Sequence, residues 1–428
     1  MAYTINEQPP PVAFARTPVL YLVTEDTLYN EEAFQYIADV YLWQGLIGDK
    51  PVTPEYELRK PSNNTSGNAL FDLHTLTTDW LITPEFAIGN NPDKTTEMYV
   101  WCQVEFRYIY IDTGGSIVEL PKGSGQQSNN INVYNGYNYY MEGVNHYPGD
   151  HLGIDYISEY QQRVIEAGGV AEALECIPIE IQRLTGGGFW MTNKPLVNCV
   201  PENTSMYIFA LNDSASPVRK VYVSVNEGEY VSVLDLDTYH SQVVAIGCGS
   251  KEIFEGAFFP AGTEIISWEI YGATSGGAQA TLKYKFTICE PCKHGFINLQ
   301  FLNRFGVWDN LICYGSKMDS MTVERSETLH SPLEIINNSF SFLKPFGQFH
   351  AANIHGRETK TVNTGWIKED WNELLKQFML TQYLYDADTL QPYTLDMKSI
   401  QYKTALIDGL SQYTIKLKRA HTAVGTTA

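Results

Sequence analysis

Met98-Tyr99-Val100-Trp101-Cys102-Gln103-Val104-Glu105-Phe106-Arg107-Tyr108-Ile109-Tyr110-Ile111 decides the fold class. Side chains alternate across an extended strand, so Met98, Val100, Cys102, Val104, Phe106, Tyr108 and Tyr110 share one face, with Gln103, Glu105 and Arg107 on the other. Upstream, Phe34, Tyr36, Ala38, Val40 and Leu42 alternate with Gln35, Ile37, Asp39, Tyr41 and Trp43 in the same way. Both stretches read as sandwich strands. Residues 17–23 have strand composition and stop at the polar Thr24-Glu25-Asp26, whereas 70–81 place apolar residues three or four apart, as a short helix or turn does. Ahead of them, Gln8-Pro9-Pro10-Pro11 predicts an extended N-terminal arm over residues 1–16.

Further strands are expected at 206–211, 220–225, 230–234, 242–246, 264–270 and 280–288, a spacing typical of a sandwich, with Asn226-Glu227-Gly228-Glu229 as a hairpin turn. Gly186-Gly187-Gly188 breaks regular structure before that series. A third series follows at 296–303, 311–314 and 321–325. One helix is expected from Glu369 to Met379, carrying Trp371, Leu374, Leu375 and Phe378 at helical spacing, before final strands at 393–402 and 412–419. The expected fold is mainly β: two or three β-sandwich-type domains with a few short helices, one near the C-terminus. The domains would run 17–180, 181–290 and 291–428.

Composition agrees. Aromatics reach 13%, with 28 Tyr, a side chain suited to half-buried pleated surfaces. A formal charge of −20 opposes any phosphate-tracking surface, which argues against direct nucleic-acid binding. No apolar run is long enough for a membrane helix, and residues 1–11 lack the basic and apolar regions of a secretory signal, so no membrane insertion is expected. The seven cysteines, Cys102, Cys176, Cys199, Cys248, Cys289, Cys292 and Cys313, are sparse and odd in number, and read as reduced thiols of a protein folding in a cytoplasm.

Each constellation with possible chemistry has a plainer reading. Cys289-Glu290-Pro291-Cys292 with His294 is a C-x-x-C, yet zinc needs a second ligand pair and Cys313 stands alone; thiols at an interdomain junction are expected instead. The histidine pairs His146/His151 and His350/His355 are five apart, off one helical face, and His355-Gly356-Arg357-Glu358 reads as a surface polar loop. Asp235-Leu236-Asp237 and Asn212-Asp213-Ser214 read as solvated turns, not calcium loops. No catalytic, cofactor-binding or metal residue is assigned, and no enzyme activity is expected. The Gly/Asn/Tyr-rich stretch 122–140, Tyr134 to Tyr140 above all, reads as a subunit-contact loop; Phe189-Trp190 could stack on sugar rings or pack on a neighbouring subunit, but a buried core is the commoner destiny of such aromatics.

The stretch Cys292-Lys293-His294-Gly295-Phe296-Ile297-Asn298-Leu299-Gln300-Phe301-Leu302-Asn303-Arg304-Phe305-Gly306-Val307-Trp308-Asp309 resembles virion structural proteins of tailed bacteriophages that infect Bacteroidetes, crAss-like phages included. Thr17-Pro18-Val19-Leu20-Tyr21 followed by Phe34-Gln35-Tyr36-Ile37-Ala38-Asp39-Val40-Tyr41 is similar to the opening of the same proteins. Physically, Asn303 can cap a turn, Gly306 can take positive φ and Trp308 can pin the loop to a sheet. The resemblance implies a structural subunit of a symmetric ring in the neck or tail, or of the tail hub. Its partners would be other copies of itself and neighbouring neck or tail proteins, and its location the virion, after synthesis in the host bacterial cytoplasm. It would act through protein-protein interfaces made by the aromatic loops and the Pro-rich arm. A glycan-binding receptor-recognition protein at the tail tip is the alternative.

Overall fold

The computed structural model describes residues 4–10, 12–63, 67–81, 98–137, 190–211, 218–236, 243–255, 264–289, 295–329, 333–342, 349–402, 409–421 and 423–424. It is mainly β, as the sequence leads one to expect. Two compact units make up the chain: residues 1–289 with 302–309, and residues 290–301 with 310–428. The expected boundary near 180, Phe189, Tyr137's successors up to Tyr140 and the Asn212-Asp213-Ser214 turn lie outside the described residues.

In the first unit the chain runs β1 (Thr4–Glu7), β2 (Val12–Phe14), β3 (Leu20–Thr24), β4 (Glu32–Trp43), β5 (Tyr56–Pro61), β6 (Asn68–Asp72), α1 (His74–Trp80), β7 (Tyr99–Ile111), β8 (Ile117–Glu119), β9 (Gln126–Gln127) and β10 (Ile131–Tyr134). A three-stranded sheet, β1-β3-β6, faces a seven-stranded one, β2-β10-β7-β4-β5, in which β8 and β9 also pair with β7. The alternation explains the core between them: Tyr36, Ala38, Val40, Val100, Val104 and Phe106 come from β4 and β7, and meet Tyr21, Val23, Ala69 and Phe71 from β3 and β6. The ring of Phe106 lies 5.7 Å from Tyr21 and 5.4 Å from Phe71, centroid to centroid, across the two layers.

The described residues of the expected arm, 4–10 and 12–16, are extended in part and paired into the sheets. β1 pairs antiparallel with β3, β2 pairs parallel with β10, and Phe14 is buried. The prolines space these two strands so that each joins a different sheet, and apolar Val12, Ala13 and Phe14 have a core to enter. Residues 68–72 also form a strand before the helix α1 begins, so the helical spacing read over 70–81 holds only for its second half.

After residue 190 come β11 (Val197–Pro201), β12 (Tyr207–Leu211), β13 (Lys220–Val225), β14 (Val231–Asp235), β15 (Val243–Gly247), α2 (Ser250–Glu255), β16 (Ser267–Ala273) and β17 (Tyr284–Cys289). They form a five-stranded sheet, β11-β17-β16-β13-β14, and a ribbon, β12-β15. Buried Trp268 of β16 donates its indole N–H to the Cys248 carbonyl just past β15 at 3.0 Å, tying ribbon to sheet. Asn226 and Glu227 adopt positive φ, 51° and 59°, in the turn between β13 and β14, the hairpin geometry their position called for.

The second unit contains β18 (Ile297–Leu302), β19 (Trp308–Cys313), β20 (Lys317–Leu329), β21 (Leu333–Ile336), β22 (Ser339–Phe342), β23 (Phe349–Asn363), β24 (Ile367–Lys368), α3 (Asn372–Met379), β25 (Leu384–Asp386), β26 (Pro392–Leu395), β27 (Leu410–Ser411), β28 (Thr414–Arg419) and β29 (Ala423–Val424), with residues 302–309 of β18, β19 and their turn grouped with the first unit. Its main sheet runs β19-β18-β25-β26-β28-β23-β20, with β29 also on β23. Leu374, Leu375 and Phe378 of α3 are fully buried on the core of this sheet, and Phe378 meets Phe301 edge-on at 5.2 Å. The helical spacing of these residues is what lets three of them face one way.

Candidate functional site

Residues 303–309, the end of the stretch that carries the resemblance, form a closed polar clasp inside the first unit. Asn303 is buried and accepts the N–H groups of Phe305 at 2.9 Å and Val307 at 3.3 Å, while its side-chain amide donates to the Met191 carbonyl at 2.8 Å. Asp309 follows, and the Lys194 ammonium lies 2.6 Å from its carboxylate with both side chains at most 3% exposed. The Thr192 hydroxyl donates to the same carboxylate at 2.5 Å. Gly306 has φ +79°, and a Cβ there would sit 2.6 Å from the backbone of Asn135. Gly136 is equally constrained, because a Cβ on it would meet the Arg304 carbonyl at 2.3 Å. The backbone N–H of Tyr137 donates to that carbonyl at 2.8 Å. The clasp therefore links residues 135–137, 191–194 and 303–309; every group named is spent on another part of the fold.

A second polar cluster lies on the face of β4 and β7 that carries Asp39, Glu105 and Arg107. Strand register sets Glu57 of β5, Asp39 and Glu105 side by side. Three carboxylates in one cross-strand row repel one another. Arg107 offsets this: its guanidinium binds Asp39 and Glu119, and reaches Glu57 at 2.9 Å, while Lys122 lies 3.2 Å from Glu57. Arg107 is 1% exposed among its carboxylate partners, while Glu119 and Lys122 at the rim of the cluster keep contact with solvent. These charges hold Arg107 firmly protonated. Glu57 is held below the ordinary carboxylate range by its hydrogen bond from Arg59, aided by Lys122 and Arg107. Glu105 completes the set by accepting the Gly125 N–H at 2.7 Å. Alternation alone places these residues opposite the core but does not show that they are covered.

The cysteine expectation needs correcting. Cys199 and Cys289 form a disulfide, not reduced thiols, and the partners are 90 residues apart. Parallel pairing of β11 with β17 sets Cys199 beside Thr287 and Pro201 beside Cys289, which brings the two Cα atoms to 5.6 Å. No local spacing in the sequence carries that pairing. Cys102, Cys248 and Cys313 are free and buried, and burial pushes the Cys102 and Cys313 thiols up to about 12. Cys292, His294 and Cys176 lie outside the described residues, and among those described no group of three or more His, Cys, Asp or Glu gathers as a metal set.

Other expected positions fall differently. Residues 355–358 belong to the interior of β23, not to a loop. Asp235 ends β14 on the surface. His74 is exposed and 3.0 Å from Asp72. Most of 122–130 is exposed, as a contact loop requires, but Ile131 to Tyr134 are a buried strand, and the Tyr134 hydroxyl accepts from Asn132 at 3.0 Å. Trp190 is fully buried and donates to the Thr281 hydroxyl at 3.3 Å. Both aromatics are core, because strand pairing supplies each with a wall; neither is a surface platform.

The exposed feature that sequence reasoning missed is in the second unit. β20 and β23 pair over thirteen and fifteen residues, and every residue of β20 is exposed. Met318, Met321, Val323 and Leu329 are 39% to 72% exposed, and Phe349, opposite Leu329, is 64% exposed. β20 is the last strand of its sheet, and among the described residues none pairs with its outer edge. A long edge strand without proline is a ready template for another chain. The signal was present in 317–329 as a run with no breaker, but its polar character hid a strand longer than the expected 321–325.

No family model matches this chain, and no curated protein matches it. Twenty-four chains among solved structures do match, α-2-macroglobulins among them. Against the native Escherichia coli protein the identity is 10% and the TM-score 0.20, covering 84% of this chain and 21% of that one. Against Salmonella α-2-macroglobulin reacted with methylamine the values are 8% and 0.19, covering 96% and 23%. The chain thus spans about a fifth of the length of these macroglobulins, and the likeness assigns it no function.

Proposed function

We propose that this chain is a bacteriophage virion structural protein, a subunit of a ring in the neck or tail that acts through protein-protein interfaces. The observation that carries the reading is the β20–β23 arm: a thirteen-residue edge strand, exposed throughout, on a chain whose buried polar clusters are closed on themselves. Such an edge gains free energy by pairing, and a subunit of an assembly is where that gain is used. The polar clasp at residues 303–309 supports the same reading, since the residues that resemble phage virion proteins serve architecture here. The Cys199–Cys289 disulfide also suits a particle released into an oxidising medium.

Mass spectrometry of gradient-purified virions from the phage that encodes the chain, followed by cryo-electron microscopy, tests the proposal. The chain is expected in stoichiometric amounts, as a symmetric ring between capsid and tail tip. Its absence from infectious particles overturns the proposal.

A further inference from the structure

We infer that β20 is a self-complementary edge through which two copies of this chain pair antiparallel about a two-fold axis at Thr322. An antiparallel strand pair has its two-fold axes perpendicular to the sheet, so a symmetric contact sets residues of one parity opposite residues of the same parity, on the same face. With the axis at Thr322, Lys317 faces Glu327, Asp319 faces Arg325 and Met321 faces Val323, each pair occurring twice by symmetry. All six lie on one face of the strand. The centre of that face is a cluster of two Met and two Val side chains, 53% and 39% exposed in the single chain, flanked on either side by opposite charges.

Neighbouring symmetric registers lose this match. An axis at Met321 sets Lys317 against Arg325, and an axis at Val323 sets Asp319 against Glu327; like charges directly opposite destabilise a strand pair. An apolar centre with a charged rim is also how protein interfaces are organised. The strand itself is regular enough to serve, because the irregularity in its pairing with β23 lies between His355 and Ala352, on the β23 side, and the β20 residues run on without an insertion. Asp319 already has Lys360 at 3.8 Å on its inner side, so an Arg325 from the second copy would add a cation on the outer side. This inference uses the same β20 edge that carries the virion reading, but the dimer is tested on the purified chain and the virion reading on particles, so either can fail without the other.

The test uses the full chain. Light scattering coupled to size exclusion, over a concentration series, is expected to show a reversible dimer. Arg325→Glu, which sets one carboxylate against each Asp319, is expected to weaken it about ten-fold or more, and adding Asp319→Arg to that variant to recover most of the loss. Register is read by cysteine cross-linking. Thr322→Cys faces itself across the axis at a Cα separation of about 4.5–5.5 Å, inside the range a disulfide spans, so it should give a covalent dimer on a non-reducing gel well above the unsubstituted chain. Ser320→Cys faces Glu324 and should not. A chain that stays monomeric at every attainable concentration, a dimer indifferent to Arg325→Glu, or equal cross-linking at 320 and 322 overturns the inference.

Discussion

Gly306 shows how much of the clasp rests on one residue. Its φ of +79° is a conformation side chains disfavour, and the backbone of Asn135 fills the space a Cβ would need. Gly306→Ala is expected to lower stability by more than about 1 kcal/mol, read as a drop in the urea midpoint of the first unit. Lys194 is the other extreme, a charge almost fully out of water with Asp309 2.6 Å away. Lys194→Met strands that carboxylate and is expected to cost about 3–5 kcal/mol, whereas replacing both partners with apolar residues should cost much less; a double-mutant cycle followed by chemical denaturation separates the two. Asn303 and Gly306 were legible beforehand as a turn, because their intrinsic backbone preferences are local. The partners were not: Lys194 is 115 positions from Asp309 (309 − 194), and nothing in a one-dimensional pattern pairs them.

Strands with strict alternation were the most legible elements. β4 and β7 lie where period-two patterns put them, β13 lies where the spacing of its series put it, and α3 lies where three apolar residues share a helical face. Pattern fails where neither face is covered: β20 is exposed at all thirteen positions, so alternation says little about it, whereas β18 lies within the expected 296–303 although it is buried at all six. β23 was read in part as a loop because Gly356 and a run of polar residues interrupt its apolar pattern, yet fifteen residues stay extended when β20 supplies a ladder. The edge strand β11 depends on a different device. It lies at one end of its sheet, parallel to β17, and the Cys199–Cys289 bond closes a 90-residue separation across that pair. Cys199→Ala with Cys289→Ala is expected to destabilise the first unit by about 2–5 kcal/mol, and reductant should shift the unsubstituted chain by a similar amount while leaving the double variant unmoved in thermal melts.

Across the whole molecule the formal charge of −20 makes acid the natural probe. Glu57 has its folded pKa depressed, by Arg59 first and then by Lys122 and Arg107. Its contribution is therefore complete above the ordinary carboxylate value of 4.5 and is lost as the pH falls through the lower folded value. The stability difference between the native chain and Glu57→Gln should be constant near neutrality and shrink toward zero as acid protonates Glu57 in both folded and unfolded states, which urea titrations at a series of pH values will show. The interleaving of the units is not legible in the sequence, because the first unit takes residues 302–309 from beyond the start of the second. That interleaving has a consequence in time. A ribosome adding about 5–20 residues per second delivers Asp309 on the order of ten seconds after Lys194, and until it emerges the lysine must stay hydrated. The nascent first unit therefore waits, incomplete, for a stretch of chain made after the second unit has begun.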